Sequence, residues 1–142
     1  MKIVVDSNIF VSSFFWGGNP RNIFERVING FDELFITEEI LIEIESVMNR
    51  SKFQANSSKI KDYIRIVKKY SKIVVSNSIS EEISRDEDDN KILQCGIDGN
   101  VNFIITGDND LLVLNEYKNI KIVKPREYLD IVEKQAEIKY SK

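Results

Sequence analysis

The sequence predicts an α/β fold of three layers, α/β/α, around a central and mainly parallel sheet. Short apolar runs at Ile3-Val4-Val5, Leu34-Phe35-Ile36, Ile73-Val74-Val75, residues 103–106 and residues 121–123 alternate with longer segments of helical periodicity. The first run is apolar on both sides, as a central strand covered on both faces should be. Such alternation leads to parallel strands joined by right-handed crossovers, with helices on both faces of the sheet.

Each element has a local reason. Residues 2–5 form the first strand. Asn19-Pro20 supplies a cap and a first-turn proline for a helix reaching about residues 29–30. After the strand Leu34-Phe35-Ile36, Thr37 caps the next helix, with Glu38 and Glu39 in its first turn. Ser57-Ser58 begins a helix that carries Ile60, Tyr63, Ile64 and Val67 on one face. Ile73-Val74-Val75 is a strand, residues 88–98 a helix, 103–106 and 121–123 strands, and Pro125 opens the last helix. No repeat, low-complexity tract or long linker divides the chain, so residues 1–142 are expected to form one domain.

Composition narrows the chemistry. A chain of 142 residues, 42% hydrophobic and 30% charged, has the length and make-up of one water-soluble domain. No apolar run approaches the roughly 20 residues that span a bilayer, and Asp6 and Asn8 interrupt the N-terminal run before any secretory pattern. The one cysteine, Cys95, is read as a small apolar helix residue, compatible with a reducing cytoplasm. The chain has no histidine. That excludes Ser-His-Asp and Cys-His hydrolysis, histidine acid–base ribonucleases and imidazole-ligated zinc. Any hydrolysis must come from carboxylates, a metal, or both.

Four carboxylates occupy positions that a solvated surface does not require. Asp6 ends the first apolar run, and Asp108 follows Phe103-Ile104-Ile105-Thr106-Gly107. Ligand sites of open parallel sheets form beyond the carboxyl ends of the strands. Glu43 lies about 90° from the centre of the buried stripe formed by Ile40, Ile44, Val47 and Met48, while Glu45 lies about 110° away on the other side, so periodicity favours Glu43 by a small margin. Asp89 falls within about 10° of the inward face defined by Ile92, Leu93 and Gly96, with Asp88 displaced by about 90°. Simple N-capping would explain one Asp there; the segment offers Asp86, Asp88 and Asp89. Ser7, Asn8 and Thr106 flank the strand-end acids and suit the holding of carboxylate rotamers or of a metal's outer water. Four like charges gathered at one edge repel unless a cation joins them. A hard, oxygen-ligated ion, one or two of Mg²⁺ or Mn²⁺, fits that donor set.

The net charge of −3 does not advertise nucleic acid, but the charges are unevenly spread. Arg50, Lys52, Lys59, Lys61, Arg65, Lys68, Lys69 and Lys72 face only Asp62, whereas residues 81–89 hold six acids against Arg85. A basic face beside an acidic pocket suits a nuclease, although a solvated helix face is the blander reading.

The stretches 5–9 (VDSNI), 39–53 (EILIEIESVMNRSKF), 85–93 (RDEDDNKIL) and 105–112 (ITGDNDLL) together resemble the PIN-domain nucleases, specifically the toxins of toxin–antitoxin systems related to VapC-type ribonucleases. The resemblance implies a PIN-like domain and maps the four family acids onto Asp6, Glu43, Asp89 and Asp108. It adds Asp110 as a further metal position and Asp86 as a supporting acid. It also implies an RNA substrate cut by water to leave a 5′-phosphate and a 3′-hydroxyl, an antitoxin partner and a homodimer. Arg21, Arg50, Lys52, Lys68 and Lys69 are the candidate RNA contacts. Two readings from other classes stand beside this one. A silent PIN scaffold would bind partners without metal. A receiver-like phosphotransfer domain needs an Asp ending its third strand, where this chain has Val75-Ser76.

Overall fold

The structure is a computed structural model that describes residues 1–50, 56–75 and 87–140. Lys52 and Asp86, both expected at the site, lie outside the described residues.

Six strands of the described residues form one sheet in the order β3 (Ser71–Ile73), β2 (Glu33–Ile36), β1 (Lys2–Val5), β4 (Phe103–Ile105), β6 (Ile120–Val123), β5 (Glu116–Tyr117). All pairings are parallel except that of β5 with β6. β1 therefore sits centrally, and Ile3, Val4 and Val5 are all buried, as is every residue of β4. A strand that meets helices on both faces has no solvated side to carry polar residues.

Pleating sends alternate residues to opposite faces. The register Val4↔Ile104↔Ile122 places these three side chains on the face beneath α5 (Glu87–Gly99). Gly96 makes that approach close: a Cβ at this position would lie 3.0 Å from Ile104 Cδ1. On the other face, Val5 and Leu34 meet Ile9 and Phe10 of α1 (Ser7–Phe15) and Ile23 and Phe24 of α2 (Gly18–Ile28). There α7 (Pro125–Tyr140) sets Tyr128 edge-on to Phe103, with ring centroids 5.2 Å apart. Helices on both faces complete the three layers that the alternation predicts.

Thr37 caps α3 (Glu38–Met48) as expected, its hydroxyl accepting from the Ile40 N–H at 3.2 Å. Asn56 caps α4 (Ser57–Tyr70) by accepting from Ser58 N–H at 2.8 Å. Tyr63 of α4 donates to the Phe10 carbonyl at 3.1 Å, which ties α4 to α1. Cys95 is fully buried on α5, and burial pushes its thiol pKa up to about 12, in keeping with its reading as a small apolar residue.

Three local differences from the sequence expectations have physical causes. Residues 7–15 form a helix where the sequence reading assigns no element. The third strand spans Ser71–Ile73, two residues before the apolar run. It is an edge strand, so its backbone pairing with Leu34, Phe35 and Ile36 does not need an apolar run, and Val75 is left exposed. The short α6 (Asn109–Leu112) and the two-residue β5 were not anticipated.

Candidate metal centre

The site follows from the register of two central strands. Val5 pairs with Ile105, so Asp6 and Thr106 emerge side by side at the carboxyl edge of β1 and β4. The Thr106 hydroxyl donates to Asp6 Oδ2 at 2.7 Å and accepts from the Asp108 N–H at 3.0 Å. Thr106 is completely buried, so this hydroxyl has no water to exchange with. Asp108 in turn caps α6, its Oδ1 accepting from the Asp110 N–H at 2.9 Å. A chain of hydrogen bonds thus runs from Asp6 through Thr106 and Asp108 to Asp110.

α5 brings the next carboxylate. A helix that crosses back between parallel strands runs against them, so its N-terminus lies over the carboxyl edge. Asp89, in the first turn of α5, is 4% exposed, which places it on the inward face as its angle on the helix predicts. Among the described residues, Asp89, Asp108 and Asp110 each offer a carboxylate oxygen, and the three lie within 4.8 Å of one another. Unit charges at such separations repel by about 3–4 kcal/mol per pair at an effective dielectric of about 20. Three oxygen donors so placed, one of them buried, match the preference of a hard divalent cation and offer nothing to a soft one.

Asp6 lies beside this group. Burial raises its pKa; the hydrogen bond from Thr106 opposes that rise, and the charge of Asp108 adds to it. Glu43, half-buried on α3 at the edge of the stripe as expected, is held differently. Ser7 at the start of α1 is 5% exposed and donates to Glu43 Oε2 at 3.0 Å. Burial is the largest cause raising the Glu43 pKa. The Ser7 hydrogen bond lowers it, Asp88 raises it through charge and hydrogen-bonding proximity, and Lys91 lowers it. Lys91 Nζ lies 3.7 Å from Asp88 Oδ1.

The structure therefore gathers Asp6, Asp89, Asp108, Asp110 and Thr106 on one side and Glu43 and Ser7 beside them. Asn8 is exposed, with its backbone N–H near the Asp6 carboxylate. Asp88 and Lys91 were missed from the sequence. The signal that could have found them is their i,i+3 spacing on the helix that carries Asp89, on the flank that faces α3.

The candidate RNA contacts are scattered. Arg21 donates to the Ser13 carbonyl at 3.1 Å, Lys68 pairs with Glu38 at 3.6 Å, Lys69 lies 5.4 Å from the Tyr70 ring centroid, and Arg50 is exposed. Lys59, Lys61, Arg65, Lys68 and Lys69 of α4 are all exposed, with Arg65 3.4 Å from Asp62.

Comparison with known proteins agrees with this architecture. Residues 2–110 match a family described as PIN domain. No curated protein matches the chain in sequence. A chain from the crystal structure of VapBC2 from Rickettsia felis, bound to a DNA fragment from their promoter, superposes with a TM-score of 0.62 at 14% identity. The match covers 86% of this chain and 97% of that one, and at such identity the likeness is one of fold.

Proposed function

The chain belongs to the PIN-domain family, and on that premise we propose that it is a metal-dependent endoribonuclease, the toxin of a toxin–antitoxin pair. The observation that carries this reading is the convergence of Asp89, Asp108 and Asp110 within 4.8 Å, joined to Asp6 through Thr106, in a chain without histidine. Asp6, Glu43, Asp89 and Asp108 are the proposed catalytic acids, and Asp110 is a fifth oxygen donor.

A Mg²⁺ or Mn²⁺ ion in this centre would offset charge on the scissile phosphate and lower the pKa of an attacking water. The chain's own groups divide the remaining work. Thr106 fixes the Asp6 carboxylate and the Asp108 backbone at once, which sets the spacing of the acids before any ligand arrives. Glu43 combines a raised proton affinity with a border position and a Ser7 hydrogen bond that orients it, which suits the acceptance of a proton from the attacking water. The basic surface of α4, with Arg21 and Arg50, is the proposed track for the phosphates of single-stranded RNA.

The likeness to a chain of the VapBC2 complex supports an antitoxin protein as partner, and a homodimer is proposed alongside it. No helix among the described residues is long and apolar enough to cross a membrane. Action in the cytoplasm, with residues 1–142 as a single PIN-like domain, completes the reading.

The test is cleavage of single-stranded RNA by purified protein. Cutting is expected with Mg²⁺ or Mn²⁺, none with a chelator, and 5′-phosphate ends on the products. Asp108→Asn is expected to abolish cutting while retaining the far-UV circular dichroism of the wild type. Cutting that survives this substitution removes the proposed mechanism, and no metal-dependent cutting on any RNA favours a binding scaffold.

A further inference from the structure

Four aromatic rings run in contact from α4 to the surface at the joint between α1 and α2. Centroid to centroid, Tyr63 stands 5.0 Å from Phe14, Phe14 4.9 Å from Phe15, and Phe15 5.6 Å from Trp16. The inner end is fixed, since Tyr63 donates to the Phe10 carbonyl and Phe14 and Phe15 are half-buried. The outer end is open, with Trp16 69% exposed. Beside it lies a cation. Arg21 is exposed and donates to the Ser13 carbonyl at 3.1 Å, and its Cζ is 3.2 Å from where a Cβ would stand on Gly17. The missing side chain of Gly17 thus lets the guanidinium lie against the backbone next to Trp16. Among the described residues, Arg21 has no acidic partner.

This joint lies at the same edge of the sheet as the acids. α2 ends at the opposite edge, where the Phe31 and Asp32 N–H groups bond to the Arg26 carbonyl and Glu33 opens β2. Its eleven residues rise about 16 Å against about 13 Å for the four of β2, so its start reaches the level of the carboxyl ends. α1 begins directly after Asp6 and Trp16 directly follows its last residue, so one helix sets the two about 15 Å apart.

We propose that Trp16 is a stacking platform for one base of the single-stranded RNA, a few nucleotides from the cut phosphate, and that Arg21 holds the phosphate beside that base. The proposal rests on the nuclease reading above and adds to it the place where the substrate strand is gripped. An aromatic face stacks any base, and a cation next to it meets the charge of the backbone. A protein partner fits less well. On α1 and α2 the other exposed large apolar side chain is Ile28, at the opposite end of α2, so Trp16 lacks the apolar surround of an interface core. Trp16 and Arg21 are positioning residues on this account: they fix which phosphate reaches the acids.

Trp16 is the chain's one tryptophan, so intrinsic fluorescence reports it alone. Asp108→Asn protein in Mg²⁺, expected to bind RNA without cutting it, is titrated with a short single-stranded RNA carrying a terminal dye. Anisotropy of the dye reads binding, and tryptophan emission reads stacking. Quenching is expected to follow the anisotropy. In the same background Trp16→Ala is expected to weaken binding by about tenfold, Trp16→Phe to keep most of it, and Arg21→Gln to lower the logarithmic salt slope by about 0.7. Abasic sites placed one at a time along the RNA should reproduce the Trp16→Ala loss at one position, and there the two losses should not add. Circular dichroism shows which variants are folded. RNA binding with unchanged tryptophan emission, full affinity in folded Trp16→Ala, or losses that add at every position overturns the proposal while the nuclease reading stands. Emission that shifts with protein concentration alone assigns Trp16 to a contact between copies and overturns it equally. Absence of RNA binding in both Asp108→Asn and wild type overturns the nuclease reading and this proposal with it.

Discussion

Thr106 and Asp6, far apart in sequence, are joined by a 2.7 Å hydrogen bond in which the threonine hydroxyl donates to the carboxylate. Its single hydrogen goes there because a carboxylate can only accept, while a lone pair of the same oxygen takes the Asp108 N–H. Thr106→Val keeps the shape and removes both interactions. A lost hydrogen bond to a charged group costs about 1.5–3 kcal/mol, and loss of a group that orients metal ligands costs about 10–100-fold in affinity. The expected outcome is a lowered melting temperature and Mn²⁺ binding weaker by about tenfold. Unchanged Mn²⁺ affinity in a folded Thr106→Val protein would show that Asp6 needs no such anchor.

Asp6 also gives a pH dependence whose sign can be worked out. Its pKa is raised above the ordinary 3.8, chiefly by burial, so the folded state holds a proton more tightly than the unfolded chain. Between the two pKa values the folded state binds more protons, and stability falls as pH rises through that window. With chelator present, Asp6→Asn is therefore expected to melt above wild type at neutral pH, and the gap should close as pH falls toward 3.8. A gap that is constant with pH would place the effect of the substitution elsewhere.

The four inner strands, most of the helices and the places of Asp89 and Glu43 on theirs were legible because their signals are local. Asp89 beneath Ile92 and Leu93, and Glu43 at the edge of the stripe of Ile40 and Ile44, are positions that helical geometry alone places. α1 was not legible. Its sequence SNIFVSSFF is rich in serine, β-branched and aromatic residues that are weak helix formers, and Ile9, Phe10 and Val11 are all buried, so no amphipathic period appears. The missed helix matters to the site, since it presents Ser7 to Glu43. The Asp88–Lys91 arrangement escaped for a different reason: its meaning depends on α3 lying opposite, which only the tertiary structure supplies.

The basic face of α4 carries its own test. If Lys68 and Lys69 hold phosphates, Lys68→Gln together with Lys69→Gln should weaken RNA binding and flatten its salt dependence, by about 0.7 in logarithmic slope for each phosphate left without its cation. Filter binding or fluorescence anisotropy at several salt concentrations measures this. The wild-type slope in the double variant would assign these lysines to solvent, with Lys68 serving only Glu38.

Assembly has a sharp probe in Ile42, which is 67% exposed on α3, opposite that helix's buried stripe. In the proposed homodimer this side chain is expected at the interface between the two copies. Light scattering is expected to give a dimer for wild type and a monomer for Ile42→Glu. A wild-type monomer at high concentration would count against the homodimer.

Away from the site, Asp32 is fully buried and accepts from Arg26 Nε at 2.9 Å, a pairing that braces the entry to β2. Breaking a buried pair by removing one partner costs about 3–5 kcal/mol, and the partial exposure of Arg26 moves the expectation for Asp32→Ala to about 2–4 kcal/mol. Denaturant unfolding measures it. A loss under about 1 kcal/mol would mean that solvent takes over the guanidinium without cost.

Gly96 has a consequence for tolerance to change. Asp89 and Gly96 are seven residues apart, two turns of the same helix, and the second rests on Ile104 with no side chain of its own in between. The height of Asp89 above the end of β4 is thus gauged by the Ile104 side chain resting directly on helix backbone. Repacking among the deformable side chains of α2 and α7, on the far side of the sheet, should leave this gauge untouched. The two faces of the sheet are then free to evolve at different rates, one setting the geometry of the acids and the other absorbing drift in core volume.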